Sequence, residues 1–452
     1  MIQHVSIVGG GFSGTLQAIN LLRHDGPAAT LIERSARVGD GLAFGAAHPA
    51  HVLNVRASNM SAFPDDADHF VRWLGNRGVA DPGSAFVPRV EYGRYLRELL
   101  DDAVRKAPGR IRIVRGDVMD AVARPDGGAR LLLADGESID SDAVVLAVGN
   151  LPPHDPPGLE AGRLSSVRYK ADPWEAGVAT GLGPDDEVLI IGTGLTMIDV
   201  ALLLEETGFE GKITALSRRG LLPHAHAAPT APWDRLNTRT DTRASALVHT
   251  LRDRSAEIGW RNAVDELRPF TQAMWANASP SEKERFLRHL RPWWDIHRHR
   301  LAPVVAGRLS RMQANGRLNV IAGKTLGFVE HPDCIEIAWR PRGSATPKSN
   351  RVQRVVNCTG PQGDLGRTTA PLLARLRDRG LIRSDTARLG IDVDGYAQTI
   401  DNSGAASDWL FAIGPMTRGA FWEIVAVPDI RVQTWTLARR LSNAQWVGGE
   451  GL

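Results

Sequence analysis

Short apolar segments rich in β-branched residues alternate with amphipathic segments along the first part of this chain. His4–Val8 predicts a buried strand, and a run of three glycines follows it directly. Leu16, Ile19 and Leu22 then recur with the three-residue spacing of a helix face. Ala28–Glu33 predicts the next strand, so the chain opens with a strand, a glycine turn, a helix and a second strand.

The same order of elements recurs after a proline-rich segment at residues 151–158. Glu187–Ile191 predicts a strand, a second glycine turn follows it, Leu195–Glu206 predicts a helix, and Lys212–Ser217 predicts a further strand. Elsewhere the apolar pattern predicts strands over residues 111–114, 130–134, 142–148, 318–320, 335–339, 354–356 and 409–413, helices over 92–105 and 419–441, and a mainly helical stretch from about 245 to 316.

Two such units in one chain predict an α/β fold with two Rossmann-like dinucleotide-binding domains. The apolar strands at 142–148 and 409–413 each run into a glycine-containing turn, and we assign both of them to the first domain. The second domain is then nested within the first and carries the helical stretch as an insertion. The predicted domains are 1–160 for the first part of the first domain, 161–340 for the nested domain with its insertion at about 245–316, and 341–452 for the second part of the first domain.

The first glycine turn has the spacing that a pyrophosphate group requires. A helix that starts directly after a buried strand leaves its first N–H groups unpaired. Gly9 permits the tight turn, Gly11 the close approach of a phosphate, and Gly14 the packing of helix on strand. Glu33 ends the next strand, where a carboxylate can bind the ribose hydroxyls. This pattern predicts a dinucleotide site, and its N-terminal position favours FAD.

The second turn keeps Gly192 and Gly194 but has Met197 where the third glycine would stand. Arg218 and Arg219 follow the next strand, at the place where an NAD site has an acid, and guanidinium groups there suit the 2′-phosphate of NADP. The alternative is that these arginines form only a solvated surface turn. We therefore expect NADPH at this turn, with NADH possible.

Composition and charge exclude several classes of function. Lys and Arg number 54 against 51 Asp and Glu, and the resulting net charge of +3 is too small and too evenly spread to favour nucleic acid. The two cysteines, Cys334 and Cys358, form no CxxC pair, which excludes a dithiol reductase and a cysteine-based zinc site. No apolar run approaches the roughly 20 residues of a membrane helix, and no signal peptide is visible. We therefore expect a cytoplasmic protein that binds no membrane and no metal.

At this point the sequence resembles the bacterial FAD/NAD(P)-binding proteins with a double Rossmann architecture, distant relatives of class B flavin monooxygenases. The motifs that carry the resemblance lie at residues 8–14, 39–45, 51–55, 88–89, 92–93, 192–196, 199, 217–223, 294–300, 357–361 and 414–423. Among compact members the chain is similar to FAD-dependent urate hydroxylases. This resemblance implies a monooxygenase that uses NAD(P)H and O₂ to convert urate to 5-hydroxyisourate. Amino-acid N-hydroxylases of the same class, an electron-transfer reductase and a non-enzymatic redox sensor are the alternatives.

The predicted site residues follow from the two turns and from the resemblance. Arg418 is the first candidate to anchor an anionic substrate, although it could instead bind a flavin phosphate or solvent. Arg298 lies in a basic run that either contacts a ligand or forms a solvated face of the protein. Trp422 could line the active site, or it could pack against other residues without contacting a ligand. The expected cofactor-binding residues are Gly9, Gly11, Phe12, Ser13, Gly14, Glu33, Arg34, Asn54, Arg89, Val118, Gly149, Gly414 and Pro415 for FAD, and Gly192, Gly194, Thr196, Arg218 and Arg219 for the nicotinamide cofactor.

Overall fold

A computed structural model describes residues 2–45, 48–160, 162–175, 177–227 and 241–442. The first segment of the chain contains seven strands and four α-helices within these ranges. They are β1 (His4–Val8), α1 (Phe12–Arg23), β2 (Ala28–Glu33), α2 (Gly41–Gly45), α3 (His69–Gly75), α4 (Arg89–Lys106), β3 (Ile111–Arg115), β4 (Val118–Ala123), β5 (Ala129–Leu133), β6 (Ser138–Ser141) and β7 (Ala143–Leu146).

The second segment forms its own sheet and carries the helical insertion. Its elements are β8 (Tyr169–Lys170), β9 (Glu187–Ile191), α5 (Leu195–Glu206), β10 (Lys212–Ser217), α6 (Ala244–Ile258), α7 (Trp260–Glu266), α8 (Thr271–Asn277), α9 (Pro280–Arg285), α10 (Arg291–Arg298), α11 (Pro303–Ala314), β11 (Leu318–Glu330), β12 (Ile335–Pro341), β13 (Lys348–Val352) and β14 (Arg354–Asn357). The last segment contains α12 (Pro371–Asp378), β15 (Gln398–Ile400), β16 (Ala406–Ala412) and α13 (Val427–Leu441).

The first sheet is assembled from both ends of the chain. Its strand order is β15-β16-β7-β1-β2-β3, and all neighbours are parallel except the edge pair β15–β16. Strand β16 pairs with β7 although more than 250 residues separate them, because the second unit is inserted between the two strands. The strands β1 and β7 are almost wholly buried, as expected for a parallel sheet covered on both faces. The predicted two-unit α/β fold is confirmed.

The second sheet has the order β13-β12-β11-β10-β9-β14-β8. Strands β8, β14, β9, β10 and β11 are parallel, and β12 and β13 continue the sheet as an antiparallel extension. A third, antiparallel sheet of β4, β5 and β6 packs beside the first one. None of the described helices is both long enough and apolar enough to cross a bilayer.

Two sequence predictions about boundaries are wrong. The second unit extends beyond residue 340, because β13 and β14 belong to its sheet, and β14 pairs with the central strand β9. The C-terminal helix begins at Val427 rather than at residue 419. Residues 419–426 are not helical, and Glu423 within them has a positive φ of 66°, a conformation that a right-handed helix cannot contain.

The two glycine turns have nearly the same backbone geometry. Gly9 (φ +107°) follows β1, and Gly192 (φ +116°) follows β9. A Cβ atom at Gly9 would lie 2.3 Å from the carbonyl oxygen of Ala147, and one at Gly192 would lie 2.1 Å from that of Cys358. In both units, therefore, the neighbouring parallel strand passes so close to the turn that only glycine fits.

We expect alanine at the two glycines of the second turn to have different effects on stability. Gly192→Ala should lower the free energy of unfolding by about 3 kcal/mol or more, because it forces a side chain into a strained φ and against a backbone carbonyl. Gly194→Ala should cost less than about 1 kcal/mol, since Gly194 has an ordinary φ and nothing within 4 Å of its Cβ position. Urea titration of both variants measures the difference. Equal losses would show that the strand beside Gly192 does not restrict the turn to glycine.

Candidate functional site

A large cleft lined by described residues of both units runs along the boundary between them. Its volume is about 2690 Å³, several times that of an ordinary small-molecule pocket. Fourteen Lys and Arg residues but only five Asp and Glu residues line it, in a chain whose net charge is only +3. The positive charge of the protein is thus concentrated where anionic ligands can bind.

The first glycine turn fits a pyrophosphate group. Helix α1 begins after Gly11 with no side-chain cap and no acid in its first turn, so its N–H groups point into space that an anion can occupy. A Cβ at Gly14 would lie only 1.9 Å from the carbonyl oxygen of Gly9, which holds α1 tightly against its strand. The Glu33 carboxylate accepts hydrogen bonds from the backbone N–H groups of Gly10 at 2.7 Å and Ser35 at 2.8 Å, and keeps acceptor capacity for a ribose hydroxyl.

The last segment of the chain, which completes the first sheet, returns to this turn. Gly414 lies so close to α1 that a Cβ there would be 2.5 Å from the Ser13 hydroxyl, and Pro415 begins a short 3₁₀ turn directly after it. Phe12 packs edge-on against Phe44, which lines the cleft. The structure therefore brings residues from opposite ends of the chain together around the first helix N-terminus.

Three other predicted FAD contacts lie outside that turn. Gly149 follows β7 with a φ of +68° and has open space at its Cβ position. Val118 is buried at the start of β4. Arg34 is exposed just beyond β2. Neither these three residues nor the first glycine turn itself lines the cleft.

The second glycine turn lines the cleft directly, through Gly192, Gly194 and Thr196. Helix α5 begins after Gly194 without a side-chain cap or an acid in its first turn, as α1 does. The two arginines that follow β10, Arg218 and Arg219, also line the cleft, and neither forms an ion pair or hydrogen bond with a described residue. Their guanidinium groups are available for a phosphate.

A buried ion pair connects the two units beside the second turn. Arg89, at the start of α4, lies 2.9 Å from the carboxylate of Asp199 on α5. Burial raises the pKa of Asp199 to about 6, and Arg89 only partly offsets this. His51 donates through Nε2 to the Asp199 carbonyl oxygen at 3.0 Å, and its burial lowers its pKa to about 4, so the ring is neutral. Asn54 lines the cleft near this contact. Arg89 thus joins the units as well as facing the cleft.

A second buried polar network joins the helical insertion to the segment that precedes α13. Glu423 accepts from the indole N–H of Trp294 at 2.7 Å and from Nε of Arg298 at 3.1 Å, and it lies 3.3 Å from Arg268. Arg268 also forms a two-pronged pair with Asp429. Burial alone would raise the pKa of Glu423, but Arg298 and Arg268 outweigh it and lower the pKa, so the carboxylate stays ionised.

Two of the predicted catalytic residues belong to this network or its surroundings. Trp422 is buried and stacks on Trp275 with ring centroids 4.5 Å apart, while Phe286 meets it edge-on. Arg298 is held by Glu423. Both residues touch the cleft, but their contacts show how the insertion is attached to the first domain rather than how a substrate is held.

Arg418 differs from these two residues. It lines the cleft, is partly buried, and has no hydrogen bond or ion pair with any residue that the structure describes. Burial, together with nearby Arg291, lowers its pKa to about 10, so it remains a cation at neutral pH. It is a cation in the basic wall of the cleft, and among the described residues it has no direct hydrogen-bond or ion-pair partner, although Asp295 and Glu423 lie near enough to raise its pKa partly.

The sequence did not indicate the residues that attach the insertion. Arg268, Gln272 and Asp429 form one hydrogen-bonded group, yet more than 150 positions separate the first two from the third. Arg268 lies in the 3₁₀ turn before α8 and Gln272 lies in α8 four positions later, and this spacing in the sequence does not identify a distant partner. Among the described residues, no group of three or more His, Cys, Asp or Glu side chains is placed to hold a metal ion.

Comparison with known proteins agrees with this geometry. Residues 6–151 match the FAD-NAD(P)-binding family, which confirms the predicted resemblance for the first segment of the chain and its cofactor class. No curated protein is significantly similar to the sequence.

Several solved structures share the fold over nearly the whole chain. Ornithine hydroxylase (PvdA) from Pseudomonas aeruginosa is 15% identical with a TM-score of 0.68, and the match covers 98% of this chain and 99% of that one. L-lysine 6-monooxygenase from Pseudomonas syringae is 14% identical with a TM-score of 0.67, covering 98% and 99%. The FAD-bound cadaverine monooxygenase DfoA from Erwinia amylovora is 12% identical with a TM-score of 0.69, covering 98% and 95%. At these identities the similarity establishes the fold.

We expect Glu423→Gln to destabilise the protein by about 3 kcal/mol, because it leaves Arg298 unpaired and Arg268 with only one acid. Glu257→Gln is a matched control, since Glu257 forms only a surface pair with Arg254 and its loss should cost less than about 1 kcal/mol. Urea titration of both variants compares the losses. If Glu423→Gln were no more harmful than the control, the network would not attach the insertion.

Proposed function

We propose that this protein is an FAD-dependent monooxygenase that consumes NAD(P)H and hydroxylates a small polar substrate. The observation that carries the proposal is the repeated glycine turn: two uncapped helix N-termini follow two buried parallel strands, and the second opens into a basic cleft at the boundary of the units. The match of residues 6–151 to the FAD-NAD(P)-binding family supports FAD at the first turn.

The residues present suit both cofactors. Gly11 and the first turn of α1 would hold the FAD pyrophosphate, and Glu33 the ribose. Gly194, Thr196 and the guanidinium of Arg218 would hold NADPH. FAD, when bound, accepts a hydride from the reduced nicotinamide and delivers one oxygen atom of O₂ to the substrate.

The chain's own residues would position the ligands. The ion pairs of Glu423 and Asp429 attach the insertion to the segment that contains Arg418, and the Trp275 indole, stacked on Trp422, donates to the carbonyl oxygen of Gly419 at 2.8 Å. Arg418 provides the positive charge that an anionic substrate group would meet.

The neighbouring structures favour amine hydroxylation over the urate reaction that the sequence suggested. Their substrates, as named, are ornithine, lysine and cadaverine, each of which has a terminal amino group. We therefore propose N-hydroxylation of an amino acid or amine as the reaction. Urate also carries a negative charge that Arg418 could meet, so it belongs in the same test.

The test is a substrate screen on the purified holoprotein. Acid extraction should release FAD, and an amino acid or diamine should stimulate NADPH oxidation with matching O₂ uptake and hydroxylamine formation. If urate alone stimulates NADPH oxidation and loses its own absorbance, urate hydroxylation replaces N-hydroxylation as the proposed reaction. A colourless protein that takes up no FAD, or rapid anaerobic transfer to an artificial acceptor without any hydroxylated product, would contradict the monooxygenase proposal.

We also expect Arg218→Ala to raise the KM for NADPH about tenfold, because one charge-assisted phosphate contact is lost. The KM for NADH should change by less than twofold. Lys212→Ala, at the opposite end of β10, is the control and should leave both values unchanged. Steady-state kinetics with the two coenzymes measures the effect, and equal changes for NADPH and NADH would show that Arg218 does not contact the 2′-phosphate.

A further inference from the structure

The charged groups around Arg418 are not balanced. Three cations on the insertion side of the cleft share three acids: Arg268 pairs with Asp429 and Glu423, Arg298 pairs with Glu423, and Arg291 lies 3.5 Å from Asp295. His299 lies among them, and its burial lowers its pKa, so it adds no charge at neutral pH. Arg418 is the fourth cation, and the group contains no fourth acid.

The nearest carboxylates are already engaged. Glu423 accepts from Trp294 and Arg298 and lies beside Arg268, so its single negative charge already faces two other cations. Asp295 lies against Arg291 and His299. A charge placed in a partly buried site without a partner is unfavourable, and proteins retain such charges where a ligand supplies the counter-ion.

We propose that Arg418 forms a single-anion subsite that binds the carboxylate of the substrate. The inference rests on the proposed function and specifies its substrate class: an amino acid rather than a diamine. A guanidinium without other partners can bind a carboxylate through two parallel hydrogen bonds, which fixes both the distance and the orientation of the acid. Gly414, four positions before Arg418, contacts the first turn of α1 at Ser13, so the subsite lies on the segment that returns to the proposed FAD site.

The experiment compares substrates that differ only in the carboxylate. Isothermal titration of the holoenzyme with L-lysine and cadaverine, and with L-ornithine and putrescine, should show at least tenfold tighter binding of the amino acid in each pair. Arg418→Met should reduce this ratio to about one without changing diamine affinity. Arg418→Lys, which keeps the charge but lacks the two-pronged geometry, should give an intermediate ratio.

Control measurements show whether the anion that Arg418 binds belongs to the substrate or to a cofactor. FAD content and NADP⁺ affinity should be unchanged in Arg418→Met, and Arg440→Met, a cleft-lining arginine that stacks on Tyr396, should keep the wild-type ratio. Loss of FAD or of NADP⁺ affinity in Arg418→Met would assign the cation to a cofactor phosphate and overturn the proposal.

The remaining outcomes are also decisive. An unchanged ratio in Arg418→Met, or a wild-type preference for the diamines, would overturn the proposal. If none of the four probes binds, acetate and inorganic phosphate are titrated instead: Arg418-dependent binding of acetate supports the subsite, and its absence overturns it. Failure of the monooxygenase proposal is distinguishable, because oxygen-dependent NADPH oxidation would then be missing while the calorimetric carboxylate binding persists.

Discussion

The close approach of a parallel strand to each glycine turn is the constraint on which the rest of the structure depends. Ala147 passes so near Gly9, and Cys358 so near Gly192, that neither turn has room for a side chain. Each helix must therefore start directly at the end of a buried strand, where its first N–H groups have no partner within the helix. The same packing that builds the two sheets thus creates two places where an anion is favourable.

The two turns differ in one position, and the difference has a structural cause. Gly14 is needed because a Cβ there would lie 1.9 Å from the carbonyl oxygen of Gly9, so α1 packs as closely on its strand as a backbone allows. Met197 occupies the matching position in α5 and is fully buried, so its side chain must be accommodated between helix and sheet. The first turn therefore brings helix backbone directly against strand backbone, whereas the second has a buried side chain between helix and sheet.

Local patterns in the sequence predicted the elements that contain these turns. The spans of β1, β2, β9, β10 and α5 follow directly from apolar periodicity, because each is a short buried segment bounded by a glycine turn. The strands β4, β6 and β13 were not predicted, since exposed positions interrupt their apolar pattern. The contacts of Arg268 with Asp429 and of Arg89 with Asp199 join residues over 100 positions apart, so no local pattern could reveal them.

These long-range contacts determine how the two units can move. Arg89–Asp199 fixes the second unit to the first beside the α5 turn, while Glu423 and Asp429 fix the insertion to the segment before α13. A rotation of the second unit that widens the cleft at these contacts must pull buried ion pairs apart. Breaking each pair costs about 3 kcal/mol. Glu423 also holds a left-handed backbone conformation, which persists only where the surroundings determine it. The cleft wall that contains Arg418 is therefore held in place before any ligand arrives, so substrate binding need not bear the free-energy cost of assembling it.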